Sequence, residues 1–302
     1  MKAKFYPMKL LPIRKEKIWG EEIWTLSGLP NNDTRIVNGI FAGIGLFDLF
    51  CDFAEFILGS HCIDNNGFFP LLIKYINCQD DLSVQVHPDD FYAQLLEKDG
   101  NGKTECWYIL DAEPDSHVIY GHHYMTPELF KKRVLAGQLE AYLNRIKVTG
   151  GDLIYVPAGT IHSLGKGIRL IEIQQSSDLT YRIFDWNRTD GKGNQRELHL
   201  DKAMQVINFK EPVNQEKRFF QFARDTLFTT PFFSVERIEV HGNSHYFTRG
   251  QFSILTIIEG EGVIFGNGEE VKCTKGESLL IPGCLTSYCV MGEEIHILRT
   301  SY

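Results

Sequence analysis

Gly151-Asp152-Leu153-Ile154-Tyr155-Val156-Pro157 recurs 125 residues further on as Gly276-Glu277-Ser278-Leu279-Leu280-Ile281-Pro282. In each copy a glycine and an acid open a short apolar run that a proline closes, the punctuation of a β-strand. A repeated unit of this kind implies two related β domains. Working outward, further short apolar runs lie at 67–76, 82–87, 105–110, 170–174, 252–259 and 262–265. Turn-forming residues divide them, as in Asn65-Asn66-Gly67, Asp99-Gly100-Asn101-Gly102 and Gly266-Asn267-Gly268. Short strands and tight turns predict a mainly β chain, two units in tandem that are each an antiparallel barrel or jelly roll, with a few added helices. One helix is expected over 46–58, stopping at Gly59. A second opens with Thr126 as N-cap and Pro127 behind it and runs to about Asn144, interrupted at Gly137. After 199–208 the polar run Lys210-Glu211-Pro212-Val213-Asn214-Gln215 breaks the apolar pattern, placing the domains at 1–210 and 211–302.

The chemistry is concentrated in the first domain. In Ser83-Val84-Gln85-Val86-His87-Pro88, alternation along a strand puts Ser83, Gln85 and His87 on one face and the two valines on the other. The same rule places Lys103 and Glu105 together on a second strand that continues into the apolar run Trp107 to Leu110. A third cluster, Pro157-Ala158-Gly159-Thr160-Ile161-His162, follows the first copy of the repeat. Polar groups at alternate positions of otherwise apolar strands face a cavity, and burying them unpartnered costs several kcal/mol. A cation removes that cost. Two histidines, a glutamate and a glutamine form a nitrogen and oxygen set suited to zinc, with manganese, iron and cobalt as alternatives.

Composition bounds the rest. The net charge of −8 argues against a general nucleic-acid surface. Seven cysteines at 51, 62, 78, 106, 273, 284 and 289, with no CxxC pair, argue against a disulfide framework or zinc ribbon and fit a reducing cytoplasm. Met8 to Ile13 is too short for a signal-peptide core, and charges interrupt every apolar run before a membrane helix's length.

Pro157 to His162, at the end of a glycine-acid-apolar strand, resembles the second motif of cupins, small jelly-roll barrels that bind metal inside. Phe69-Pro70-Leu71-Leu72-Ile73-Lys74, Leu82 to Asp90, Gly102 to Trp107, Pro157 to His162 and Asp178 to Arg182 resemble, in order, the successive motifs of type I mannose-6-phosphate isomerases; Trp19-Gly20 fits as well. The chain is similar to the short bacterial form, which lacks a large helical insertion and ends in a metal-free second cupin. At the repeat offset His162 corresponds to Ser287, and no counterpart of Gln85, His87 and Glu105 follows.

The resemblance implies one zinc ion per chain held by Gln85, His87, Glu105 and His162. It implies active-site residues at Ser83, Lys103, Glu172, Asp178 and Arg182. The implied reaction interconverts mannose 6-phosphate and fructose 6-phosphate by moving a proton between C1 and C2 through an enediol. Glu172 and Asp178 are the acid/base candidates, with Asp178 ranked slightly first, and Lys103 and Arg182 complete the catalytic set. Ser83, Lys103, Arg182 and Arg188 are the groups for a small phosphorylated sugar. Arg188 stands where longer members carry a lysine, so it keeps the charge but serves no acid/base role. Two other classes fit the same residues. Two histidines and a carboxylate also hold iron in oxygenases, or serve another sugar isomerase, although Gln85, Lys103 and Arg182 argue against oxygen chemistry. A non-catalytic sugar-phosphate binder would need no acid/base pair. Oligomeric state is not legible.

Overall fold

The structure, a computed structural model, describes residues 4–59, 67–98, 100–189, 192–210 and 219–302. Asn65, Asn66, Asp99 and residues 211–215, with the division expected at 210/211, lie outside the described residues. The architecture is β-rich, as the runs and turns imply. Contacts group the chain into two compact units, Met1–Arg14 with Ile23–Lys74 and Phe222–Tyr302, and Lys15–Glu22 with Tyr75–Gln221.

In the first unit Ser234–Phe247 pairs along its length with Ser287–Ser301, which pairs in turn with Ser253–Gly266. The repeat copy forms the strand Ser278–Ile281. Its neighbour comes from the start of the chain, Met8 opposite Leu280. Alternate residues, among them Ile238, Val240, Leu255, Ile257, Leu279, Ile281, Ile295 and Ile297, build an aliphatic core. The runs at 252–259 and 262–265, read as two strands, form one, Ser253–Gly266, with register shifts at 257/259 and 260/263. Gly260 explains the misreading. Its φ of +80° and a backbone oxygen 2.1 Å from where a Cβ would stand mark it as a bulge inside a strand, which sequence alone displays as a turn.

Helix Leu46–Leu58 ends at Gly59 as expected and buries Leu46, Leu49, Phe50, Ile57 and Leu58, with Phe53 outside helical geometry. Thr126 accepts a hydrogen bond from the Leu129 N–H and Pro127 opens the second expected helix, which stops at Leu135. Gly137 takes φ +66°, a short 3-10 turn covers Leu139–Tyr142, and Leu143–Lys147 is a strand rather than a helical end.

The second unit sets two sheets against each other. One runs in the order Leu143–Lys147, His117–His122, His162–Leu164, Val84–Val86, Tyr181–Phe184; the other includes Phe219–Gln221, Asp152–Val156, Glu105–Ala112 and Ile168–Gln175 side by side. Between them Trp107, Ile109, Val118, Ile154, Leu164, Ile168 and Leu170 form a buried apolar cluster. On the outer side of the five-stranded sheet, Val84 and Val86 join a separate core with Ile119, Tyr181 and Ile183. Alternation then leaves Gln85 facing inward, opposite His162, and puts Glu105 beside Gln174 and Trp107 beside Glu172 on the facing sheet. One end of the inter-sheet space is apolar and the other polar.

Gly159 joins these pieces. It takes φ +80°, donates to the His87 carbonyl at 2.9 Å and accepts from the Asn208 N–H at 2.9 Å, and a Cβ would stand 2.9 Å from the Val206 carbonyl. Gly159→Ala should cost about 1–3 kcal/mol in chemical denaturation and lower metal retention after dialysis, because strain enters three residues before His162.

Candidate metal centre and active site

His87, Glu105 and His162 bring one ligand atom each to within 4.8 Å of one another, among residues that are fully buried. Local structure aims both rings. The His87 Nδ1–H donates to the Leu179 carbonyl at 2.8 Å, and the His162 Nδ1–H donates to the Thr160 carbonyl at 2.8 Å. In neutral rings this leaves both Nε2 lone pairs inside the cluster, 3.1 Å apart. The Glu105 carboxylate lies 3.3 Å from one and 3.5 Å from the other, and its Oε1 has no hydrogen-bond donor. Facing lone pairs around a buried carboxylate repel unless a cation lies among them, and the Lys103 ammonium reaches His87 Nε2 and Glu105 Oε2 but leaves Oε1 without a donor. The donor set fits a divalent ion.

Electrostatics keep the set ready to ligate. Burial drives His87 down to about 3, assisted by the Lys103 ammonium, and burial likewise holds His162 below the usual imidazole range. For Glu105, burial pushes the carboxyl up, but Lys103, His87 and His162 outweigh it and hold it well below the usual carboxylate range. All three therefore stay deprotonated, the state a metal needs.

Gln85 is half-buried, with its amide nitrogen 3.3 Å from His162 Nε2. Rotating that amide puts its oxygen in the same place, the atom through which a glutamine ligates. Lys103 donates to His87 Nε2 at 3.0 Å and to the Glu105 carboxylate, and lies 3.7 Å from Glu172. Glu172 is buried and accepts from the Trp107 indole N–H at 3.1 Å. Lys103 thus lies between the two carboxylates, with the two imidazoles on the Glu105 side. Arg182 lies opposite Gln85 on the adjacent strand.

Six of the sequence-selected residues thus meet directly, Gln85, His87, Lys103, Glu105, His162 and Glu172, with Arg182 beside them. Ser83 is buried just before Val84–Val86. Asp178, ranked ahead of Glu172 from sequence, is exposed on the loop after Ile168–Gln175, whereas Glu172 is in the cluster. Arg188 is committed elsewhere, donating to Asp185 at 2.6 Å and to the Asp81 carbonyl at 2.5 Å. Sequence reasoning missed the Trp107 indole as a partner of Glu172; its alternation with Glu105 was the available signal. It also missed the Leu179 carbonyl that orients His87, for which a backbone atom leaves no signal.

Residues 3–106 match the family described as phosphomannose isomerase type I, catalytic domain, and residues 224–301 match the mannose-6-phosphate isomerase cupin domain. Mannose-6-phosphate isomerase ManA of Bacillus subtilis (strain 168) is 35% identical over 306 residues, covering 95% of this chain and 96% of that protein. The chain belongs to the type I mannose-6-phosphate isomerases. The mannose-6-phosphate isomerase of Streptococcus mutans is 35% identical over 276 residues, covering 90% of this chain and 85% of the relative. The crystal structure of the Bacillus subtilis mannose 6-phosphate isomerase superposes with a TM-score of 0.87 at 30% identity, over 98% of this chain and 99% of that one. Membership of this family accords with the two-unit β architecture and with a metal-ligating group in the unit that holds His87, Glu105 and His162. No described helix is long and apolar enough to cross a membrane.

Two outcomes follow. His162→Ala should stay folded and lose bound metal, read as metal content per chain after gel filtration, since the apolar cluster survives while a ligand goes. In chelated protein, the buried histidines bind protons when unfolded but not when folded. Their contribution is complete above the ordinary imidazole pKa of 6.5 and is lost as pH falls below it toward their depressed folded values. Melting temperature should therefore drop steadily on acidification below 6.5, and the drop should shrink in His87→Gln.

Proposed function

We propose that the chain is a zinc-dependent aldose–ketose isomerase that interconverts mannose 6-phosphate and fructose 6-phosphate. The observation that carries this reading is the side-by-side burial of a metal-ligating group and an acid/base pair, Lys103 with Glu172, 3.7 Å apart. A metal-only binder would need the first and not the second. We assign the metal to Gln85, His87, Glu105 and His162, one ion per chain, with zinc favoured by the nitrogen and oxygen donors. When bound, the ion supplies Lewis-acid stabilisation of developing oxyanion charge.

The residues divide the remaining work. The open-chain sugar must lose a proton from one of C1 and C2 and regain one at the other. Glu172 is the group we assign to that transfer, in preference to the exposed Asp178, since a buried carboxylate fixed by the Trp107 N–H cannot drift out of line with the substrate. Lys103 stands between Glu105 and Glu172 and is placed to donate a hydrogen bond or proton to a sugar oxygen. Ser83 and Arg182 are assigned to the phosphorylated sugar. Arg188, whose terminal nitrogens are occupied by Asp185 and Asp81, is assigned to holding the 80–81 turn. The free cysteines among the described residues and the acidic net charge support a reducing cytoplasm and a small-molecule partner rather than nucleic acid.

The test is a coupled assay of fructose 6-phosphate formation from mannose 6-phosphate, before and after chelation and zinc readdition. Chelation should abolish turnover and zinc restore it; full activity in verifiably metal-free protein would contradict the assignment. Glu172→Gln should lower kcat by about 10²- to 10⁴-fold with metal content unchanged, a larger loss than Asp178→Asn produces.

A further inference from the structure

Tyr181–Phe184 is the last strand of its sheet, so one of its edges is open to partners outside the sheet. The segment 197–199 covers that edge at one residue. The Arg182 N–H donates to His199 Nδ1 at 3.1 Å, and the His199 N–H donates to the Arg182 carbonyl at 2.7 Å. The Arg182 guanidinium donates through Nη1 to the Glu197 carbonyl at 2.7 Å. Both main-chain groups of Arg182 therefore point away from Gln85, which makes Arg182 and Gln85 a non-hydrogen-bonded pair, the kind whose side chains approach most closely. Three bonds from one tripeptide fix the backbone of Arg182 opposite the candidate metal ligand and tie its guanidinium to the Glu197 carbonyl.

His199 is also the residue that begins helix Leu200–Val206, yet its side chain makes no capping bond to that helix. Its ring is turned outward to Arg182. The helix behind it is held in place independently: Lys202 donates to Glu97 at 2.7 Å, and Tyr181 donates to the same carboxylate oxygen at 3.1 Å. The Nδ1 acceptor requires a neutral ring, and the groups around it keep it so. Burial lowers its proton affinity, and Arg182 and Lys202 lower it further against Glu197 and Glu97.

We propose that His199 is a positioning residue, which through its Nδ1 acceptor and the adjoining Glu197 carbonyl holds Arg182 in place opposite Gln85 for recognition of the phosphorylated sugar. This rests on the assignment of Arg182 to the substrate. Asparagine carries an acceptor close to where the histidine's Nδ1 stands, whereas alanine carries none, so the two substitutions separate the acceptor from the bulk of the ring.

The experiment compares zinc-loaded wild-type, His199→Ala, His199→Asn, Arg182→Ala and the Arg182→Ala/His199→Ala double variant for kcat and KM with mannose 6-phosphate, with metal content and melting temperature alongside. His199→Ala should lose about 10- to 100-fold in kcat/KM at unchanged metal content, and His199→Asn should recover most of it. The double variant should be no worse than Arg182→Ala alone, because His199 acts only through Arg182. Should the alanine variant not fold, His199→Leu replaces it, keeping bulk without an acceptor. A crippled Arg182→Ala beside a His199→Ala enzyme of wild-type kinetics overturns the inference alone, as does a double variant whose losses multiply. Unchanged kinetics in Arg182→Ala overturn the placing of Arg182 at the substrate, and the inference with it.

Discussion

Two imidazole nitrogens 3.1 Å apart, each with its proton drawn to the far side of its ring by a backbone carbonyl, face a carboxylate that no water reaches. The polar half of the second unit is organised around that arrangement. Desolvation penalises the carboxylate and the lone pairs repel, and the Lys103 ammonium offsets both in part. The persistence of the arrangement in the fold requires rigid support from outside the cluster. The support is visible: the apolar cluster around Trp107, Ile109 and Ile154 fixes one sheet, the core around Val84 and Val86 fixes the other, and Gly159 ties the His87 carbonyl to the segment that leads into His162. Deprotonated ligands held rigidly around one point are what a metal-dependent centre requires.

The same geometry separates roles among residues of like chemistry. Glu105 and Glu172 are both buried, but Glu105 lies between two histidines and Glu172 between Lys103 and an indole N–H. The first setting suits the ligation, and the second the proton exchange, that we propose for them. Arg182 and Arg188 diverge as sharply. Asp185 and the Asp81 carbonyl occupy Arg188, whereas the contacts to Arg182 come chiefly from backbone and a neutral ring, which orient it without neutralising its charge.

Much of this was legible in the chain. The period-two alternation of Ser83-Val84-Gln85-Val86-His87 separated core from cavity, and the structure keeps that separation even though only Val84–Val86 is a regular strand. The repeat at 151–157 and 276–282 gave both strands at the expected bounds for 152–156 and 278–281. What was not legible has two physical origins. Long-range pairing leaves no local trace: nothing in Met8–Leu11 announces that it lies beside Ser278–Ile281. Backbone acceptors leave none either, so the Leu179 and Thr160 carbonyls that orient the histidines and the Glu197 carbonyl on Arg182 were invisible. Asp178 ranked slightly ahead of Glu172 in the sequence because a polar loop beside an arginine reads like an active site; the exposure of one and the burial of the other leave no trace there.

The central claim is that the buried His87, Glu105 and His162 hold the metal. X-ray absorption at the zinc edge on zinc-loaded protein tests it most directly. The account predicts a first shell of nitrogen and oxygen alone at about 2.0–2.2 Å, with imidazole outer-shell scattering that diminishes when His162 is replaced. A sulfur shell at about 2.3 Å, or a spectrum indifferent to loss of His162, would place the ion elsewhere and contradict the account.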